Sequence, residues 1–111
     1  MAKYETSITG HFHTIVTALH GDIMGSAASM ELVDRSDFTL GGAQVAVRVY
    51  DKYYMRNSSR ASLTLVAAGE GNTVKIVAVG AGGGQGAVFN FSWGAEEDLV
   101  EVVKESVGRL R

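Results

Sequence analysis

Consecutive segments with a two-residue period, joined by short connections, constrain the fold of this chain more than any other feature. The clearest is AQVAVRVYDKYY, from Ala43 to Tyr54, and further strand patterns cover residues 61–68 and 73–81. GEGN, at residues 69–72, is typical of a hairpin turn. Connections this short cannot form the crossover that parallel strands need, so they predict an antiparallel sheet.

The segment before Ala43 is less regular. Met30 and Leu32 alternate with polar residues, but VDRSD, at residues 33–37, has the polar character of a turn. Phe38 and Leu40 then lead to two adjacent glycines, which predict a break or a bulge. An earlier strand is expected from Lys3 to Thr9, and a short late strand through Val88, Phe89 and Phe91.

Two helical patterns complete the chain. The first lies between Gly10 and Gly25, and the second runs from Ala95 to Leu110 with acidic residues at its start and arginines at its end. The sequence therefore predicts a single α+β domain over residues 1–111, with element order β-α-β-β-β-β-α. We expect an antiparallel sheet of five to six strands with both helices on one face.

Length and charge exclude several classes of protein. The chain has 111 residues and a formal net charge of −2. It has no cysteine, so it forms neither disulfides nor thiolate metal sites. Its ten lysines and arginines are scattered, which argues against nucleic-acid binding. No apolar run approaches the ~20 residues of a membrane span, and the polar start resembles no signal peptide. We therefore expect a cytoplasmic protein that binds neither nucleic acid nor membrane.

The strand TVKIVAVGA, at residues 73–81, is apolar on both faces. Val77, Val79 and Ala81 point to one side, and the opposite side is apolar as well. A sheet with one face in water normally alternates apolar and polar residues. Two interpretations remain open: curvature of the sheet hides both faces, or a homodimer forms through Val77, Val79 and Ala81.

The three histidines do not form a metal site by spacing. His11 and His13 lie on different sides of a helix, whereas His13 and His20 share a stripe but stand about 10 Å apart by helix rise. The simplest interpretation is solvated histidines beside an apolar face. We predict neither a metal nor another cofactor.

A polar cluster in the sheet offers a second candidate site. Glu31, Asp34 and Asp37 surround Arg35 and could act as a general acid and base, although a charged hairpin end has the same pattern. Basic and aromatic residues of the clearest strand could receive an anion or a base, or could form ordinary cross-strand pairs. From this strand we select Arg48 and Tyr50 as candidate ligand-binding residues.

The glycine-rich stretch VGAGGGQGAVF, at residues 79–89, follows a strand as a phosphate loop would. A dinucleotide fingerprint must open a helix, but the next residues, AVFNF, are typical of a strand, and no P-loop lysine is present. Glycines within a strand pattern more often permit a bend or the close approach of another backbone or a ligand. We therefore add Gly82, Gly83 and Gly84 to the candidate ligand-binding residues.

A family resemblance covers nearly the whole chain. SDFTLGGAQVAVRVYDKYYMRNSSRASLTLVAAGEGN, a Gly-Gly-rich strand end, FNF and an acidic terminal helix resemble a family of uncharacterised small bacterial domains. The element order is also similar to the TATA-binding-protein-like or helix-grip arrangement, in which a curved sheet grips a C-terminal helix. Larger helix-grip members enclose a cavity for apolar ligands. The family resemblance implies no catalytic residues.

The leading hypothesis is a cytosolic, homodimeric binding or interaction module without enzymatic activity. Its ligand would be small and mostly apolar, and would lie between sheet and helix or beside the glycines. The alternative is a small enzyme that uses Arg48, Tyr50 and the carboxylates. A closed pocket that gathers these groups would favour the enzyme, and an open sheet face would favour the module.

Overall fold

The computed structural model describes residues 2–55, 58–82 and 94–111. The predicted α+β class and element order are confirmed, and the sheet has five antiparallel strands. The boundaries predicted for the clearest strand and for the C-terminal helix agree with the structure. The elements are β1 (Ala2–Thr9), α1 (Phe12–Met24), β2 (Met30–Leu40), β3 (Ala43–Tyr54), β4 (Ser59–Glu70), β5 (Thr73–Gly82) and α2 (Ala95–Leu110).

The strands lie in the order β1-β5-β4-β3-β2, so β2 to β5 form a meander and β1 pairs with its last strand. Two-residue turns close the β2–β3 and β4–β5 hairpins. Gly41 and Gly71 hold the first central position of these turns at φ +61°. Glycine is the residue best suited to this left-handed conformation, because it has no Cβ.

The turn predicted at residues 33–37 is wrong. β2 continues through this segment, and its register against β3 shifts between Leu32 and Asp34, which marks a bulge. Of the break or bulge predicted at Gly41 and Gly42, the structure shows a break, because these two residues form the β2–β3 turn. The polar residues misled the prediction because β2 is an edge strand, and almost all of it after the bulge is exposed. The predicted strand through Val88, Phe89 and Phe91 lies outside the described residues.

Both helices pack on one face of the sheet, which we call the inner face. Two glycines permit their close approach: a Cβ at Gly69 would lie 2.6 Å from the Phe12 ring, and one at Gly80 would lie 2.6 Å from the backbone oxygen of Glu96. Neither described helix is long and apolar enough to cross a bilayer. The largest fully buried side chains of the core are Leu19, Ile23, Tyr50, Leu63, Leu65, Ile76 and Leu99.

The opposite, outer face carries a row of valines across the three central strands. Val47 of β3 pairs with Val66 of β4, which pairs with Val77 of β5, and all three are half-buried. Val79 and Ala81 lie on the same face, as their alternation with the buried residues of β5 predicts. Charged residues occur toward its β1 edge, where Lys75 contacts Glu5 at 2.9 Å.

Candidate functional site

A cleft of about 440 Å³ separates the exposed flank of α1 from the end of the β2–β3 hairpin. Its volume is within the range of small-molecule sites. The helix supplies five lining residues and the two strands supply the remaining seven. Apolar, polar and charged side chains are all present among them. The lining residues are Phe12, His13, Val16, Thr17, His20, Arg35, Asp37, Phe38, Thr39, Gln44, Val45 and Arg48.

Two arginines share one carboxylate in this cleft. Nη1 of Arg48 lies 3.0 Å from Oδ1 of Asp37, and Nη2 of Arg35 lies 2.7 Å from Oδ2 of the same residue. Arg48 is 6 % exposed, which is rare for a charged residue. Its Nη1 also donates to the carbonyl of Val47 at 3.0 Å. Pairing with Asp37 compensates part of the cost of burying this guanidinium.

β3 places this arginine through its two-residue period. Ala46, Arg48 and Tyr50 alternate toward the inner face and are buried there, and Arg48 lies opposite Leu65 of β4. On its other side β3 pairs with β2, where Arg35 lies directly opposite Arg48. Two like charges at facing positions repel each other, and the carboxylate of Asp37 offsets that repulsion.

His20 and Tyr50 form the second polar pair. Nδ1 of His20 lies 2.8 Å from the hydroxyl of Tyr50, and the two rings are 5.7 Å apart between centroids. Tyr50 is fully buried and lies behind His20, which itself lines the cleft. This hydrogen bond fixes the orientation of the imidazole relative to Arg48.

The environment changes the pKa values of three groups at this site. Burial lowers the pKa of His20, and the positive charges of Arg48 and Arg35 lower it further. Burial raises the pKa of Tyr50 to about 12. The hydrogen bond from Arg35 holds the pKa of Asp37 below its usual value, and Arg48 contributes in the same direction. At neutral pH, His20 is therefore uncharged while Asp37 is ionised.

These ionisation states determine what the cleft can attract. Two guanidinium groups and one carboxylate carry a net charge of +1, and a neutral imidazole adds hydrogen-bonding capacity without charge. Phe12, Val16 and Phe38 supply apolar wall. No group of three histidine, aspartate or glutamate residues in the described ranges could hold a metal ion. The cleft therefore combines a net positive charge with an apolar flank.

The candidate ligand-binding residues are separated in the structure. Arg48 lines the cleft, and Tyr50 reaches it only through its hydrogen bond to His20. Gly82 is outside the lining and pairs with Ala61 at the far end of β5. Gly83 and Gly84 lie outside the described residues.

The three carboxylates selected from the sequence do not meet. Asp37 lines the cleft, whereas Glu31 and Asp34 are exposed on β2 and have no place in the lining. Asp34 instead accepts a hydrogen bond from the backbone nitrogen of Arg35 at 2.8 Å. The candidate interface residues Val77, Val79 and Ala81 lie on the outer face of the sheet, opposite the helices.

The sequence interpretation of His20 as a solvated histidine is wrong, because this residue is half-buried and bonded to Tyr50. A second stripe of residues on α1 could have indicated from the sequence that His20 lies at a site. His13, Val16, Thr17 and His20 recur at spacings of three and four residues, which places them on one flank of the helix. That stripe faces the cleft.

Three comparisons with known proteins were informative to different degrees, and the family match is the most specific of them. A comparison with curated proteins finds no match. Among solved structures, the chain is similar to the crystal structure of TTHA0849 from Thermus thermophilus. The sequence identity is 9 % and the TM-score is 0.35, over 96 % of this chain and 92 % of that one, which is too distant a likeness to inform function. The sequence matches a family of unknown function over residues 1–111, and the chain therefore belongs to that family, DUF6054.

Proposed function

We propose that this protein is a cytosolic, homodimeric binding module that holds a small amphipathic molecule between α1 and the β2–β3 hairpin. The observation that carries this proposal is the cleft with a buried arginine in its wall. A buried guanidinium in the wall of a cleft can recognise a ligand, because it offers strong hydrogen bonds to an opposite charge. The charged lining favours a ligand with a polar end over the wholly apolar ligand expected from the sequence.

A titration followed by amide NMR tests ligand binding directly. A set of small amphipathic fragments is added to the labelled protein, and we expect shifts concentrated at Thr17, His20 and Arg48. Thr17 is exposed and lines the cleft, so Thr17→Trp should fill the cleft and weaken binding. Lys104→Trp, on the exposed side of α2, is the matched control and should leave binding unchanged. Shifts that concentrate away from the cleft would contradict the proposal.

The outer face supports the homodimeric part of the proposal. Each residue on one side of a sheet occupies about 33 Å², given strand spacings of about 4.8 Å and a same-side repeat of about 6.8 Å. A face of roughly 25 such residues offers about 800 Å², which a standard interface buries on each partner. With a two-fold axis parallel to the strands, the β1 edge, where Glu5 pairs with Lys3 and Lys75, would face the β2 edge of the partner.

Light scattering after size-exclusion chromatography tests this association. At about 100 µM we expect a dimer, and Val66→Lys should give a monomer because it places a charge at the centre of the apolar row. Glu105→Lys, at an exposed position of α2 on the opposite side of the sheet, is the control and should remain dimeric. Wild-type protein that is monomeric at this concentration would reject the dimer and leave ligand binding standing.

One observation favours an enzyme as a second candidate function. His20 is neutral, oriented by Tyr50 and close to two positive charges, which is an arrangement suited to a general base beside an anionic intermediate. Against this, Asp37 is engaged by both arginines and does not contact His20. Hydrolysis of activated esters by the wild type, lost in His20→Asn, would favour the enzyme. Equal rates in both proteins would favour the module.

A further inference from the structure

The balance of charge in the cleft defines the ligand more closely. Arg35 and Arg48 contribute two positive charges, and Asp37 contributes one negative charge. A monoanion would neutralise the remaining charge, whereas a dianion would leave one negative charge beside Asp37. Solvent screens the charge of Arg48 weakly because this residue is almost fully buried, whereas the side chains of Arg35 and Asp37 are about half exposed.

The guanidinium of Arg48 has donors left for a ligand. Its Nη1 is used by Asp37 and by the carbonyl of Val47. In the part of the chain that the structure describes, its Nε and Nη2 make no hydrogen bond. These two nitrogens form one edge of a planar fork, and that edge matches the two oxygens of a carboxylate.

The apolar lining determines the rest of the ligand. Phe12 and Val16 form the helix side of the cleft, and Phe38 and Val45 belong to the hairpin side. Resting on the proposed function, we infer that the cleft binds a monocarboxylate with an apolar body, with its carboxylate on the free edge of the Arg48 guanidinium. The body would then lie along Phe12 and Val16.

Calorimetric titration with three probes tests this inference. The probes are octanoate, octanol and phenyl phosphate, used at pH 8, where histidine is neutral and phenyl phosphate is a dianion. We expect octanoate to bind at least about 10-fold more tightly than octanol, because hydrogen bonds between charged groups are stronger than neutral ones. Phenyl phosphate should bind more weakly than octanoate.

Two variants and one control test whether the arginines of the cleft bind the carboxylate. Arg48→Gln should weaken octanoate binding at least about 10-fold and leave octanol binding nearly unchanged. The side chain of Arg35 is 58 % exposed, so Arg35→Gln should weaken octanoate binding several-fold without disturbing the core. If Arg48→Gln does not fold, this second variant shows whether the positive charges of the cleft bind the carboxylate. Arg60 is a matched control, since its side chain is 57 % exposed and pairs with Asp51 on the other face. Arg60→Gln should bind octanoate like the wild type.

The possible results separate this inference from the proposed function. Equal affinity for octanoate and octanol would overturn the inference and leave the binding module intact, and so would tighter binding of phenyl phosphate. Octanoate affinity that is unchanged in both Arg48→Gln and Arg35→Gln would also overturn it. If neither octanoate nor octanol binds, the proposed function fails together with the inference.

Discussion

Replacement of Gly80 by alanine should destabilise the protein, because α2 approaches β5 too closely for a side chain. The added Cβ would lie 2.6 Å from the backbone oxygen of Glu96 and 3.2 Å from Cγ2 of Val100. Ordinary contact needs about 3.4 Å or more, so the first turn of α2 must move by nearly 1 Å. A gap of that size forfeits about a quarter to a half of the dispersion energy of the contacts that open.

The expected magnitude follows from what the first turns of α2 bury. Ala95, Leu99 and Val100 pack against the sheet, and overpacking in a core typically costs about 1–3 kcal/mol. Alanine also restricts the unfolded chain, which offsets about 0.4–1 kcal/mol of this cost. We therefore expect Gly80→Ala to lower the free energy of unfolding by about 1–2 kcal/mol, measured by urea denaturation. Gly80→Val should cost more.

Two helical glycines provide matched controls for this measurement. A Cβ at Gly21 in α1 or at Gly108 in α2 meets no atom within 4 Å. Alanine favours a helix over glycine by about 1 kcal/mol, so both substitutions should stabilise the protein. If Gly80→Ala stabilises the protein as these controls do, the close packing of α2 on β5 is incorrect.

Three further predictions concern stability. Gly69→Ala would place a Cβ 2.6 Å from the ring of Phe12, so it should lower the thermal midpoint, though less than Gly80→Ala because a side chain can rotate away. The pKa of His20 lies below 6.5 in the folded state, so stability should fall as pH drops from 6.5 through that pKa, and His20→Asn should flatten this part of the profile. The hydrogen bond from Ser106 lowers the pKa of Asp22 below 3.8 in the folded state. Asp22→Asn should therefore lower the free energy of unfolding at pH 6, and this loss should shrink as the pH falls through the folded pKa. A loss at pH 2 as large as the loss at pH 6 would refute this cause.

The sequence predicts best those elements whose period is set by burial. β3 alternates toward a helix-covered face, and the apolar stripe of α2 faces the sheet, so both have the predicted boundaries. The prediction was wrong at residues 33–37 because β2 is an edge strand. Its residues after Leu32 are exposed, so their sequence shows no alternation of apolar and polar residues. Its Asp34 and Asp37 therefore have the composition of a turn although their backbone pairs with β3.

The candidate site was only partly predictable, for a different physical reason. Arg48 could be selected as one of the basic and aromatic residues of β3, but its partner Asp37 is 11 residues away, and the register of the hairpin brings the two together. The contact between His20 and Tyr50 spans 30 residues and depends on where α1 lies across the sheet. Local periodicity carries no information about that placement.

A crystal structure of the protein grown with saturating octanoate would show whether the cleft binds a carboxylate through Arg48. We expect density in the cleft, with the carboxylate within about 3 Å of Nε and Nη2 of Arg48 and the alkyl chain along Phe12 and Val16. An empty cleft in such crystals would contradict this expectation. So would octanoate whose carboxylate points to solvent and makes no contact with Arg48.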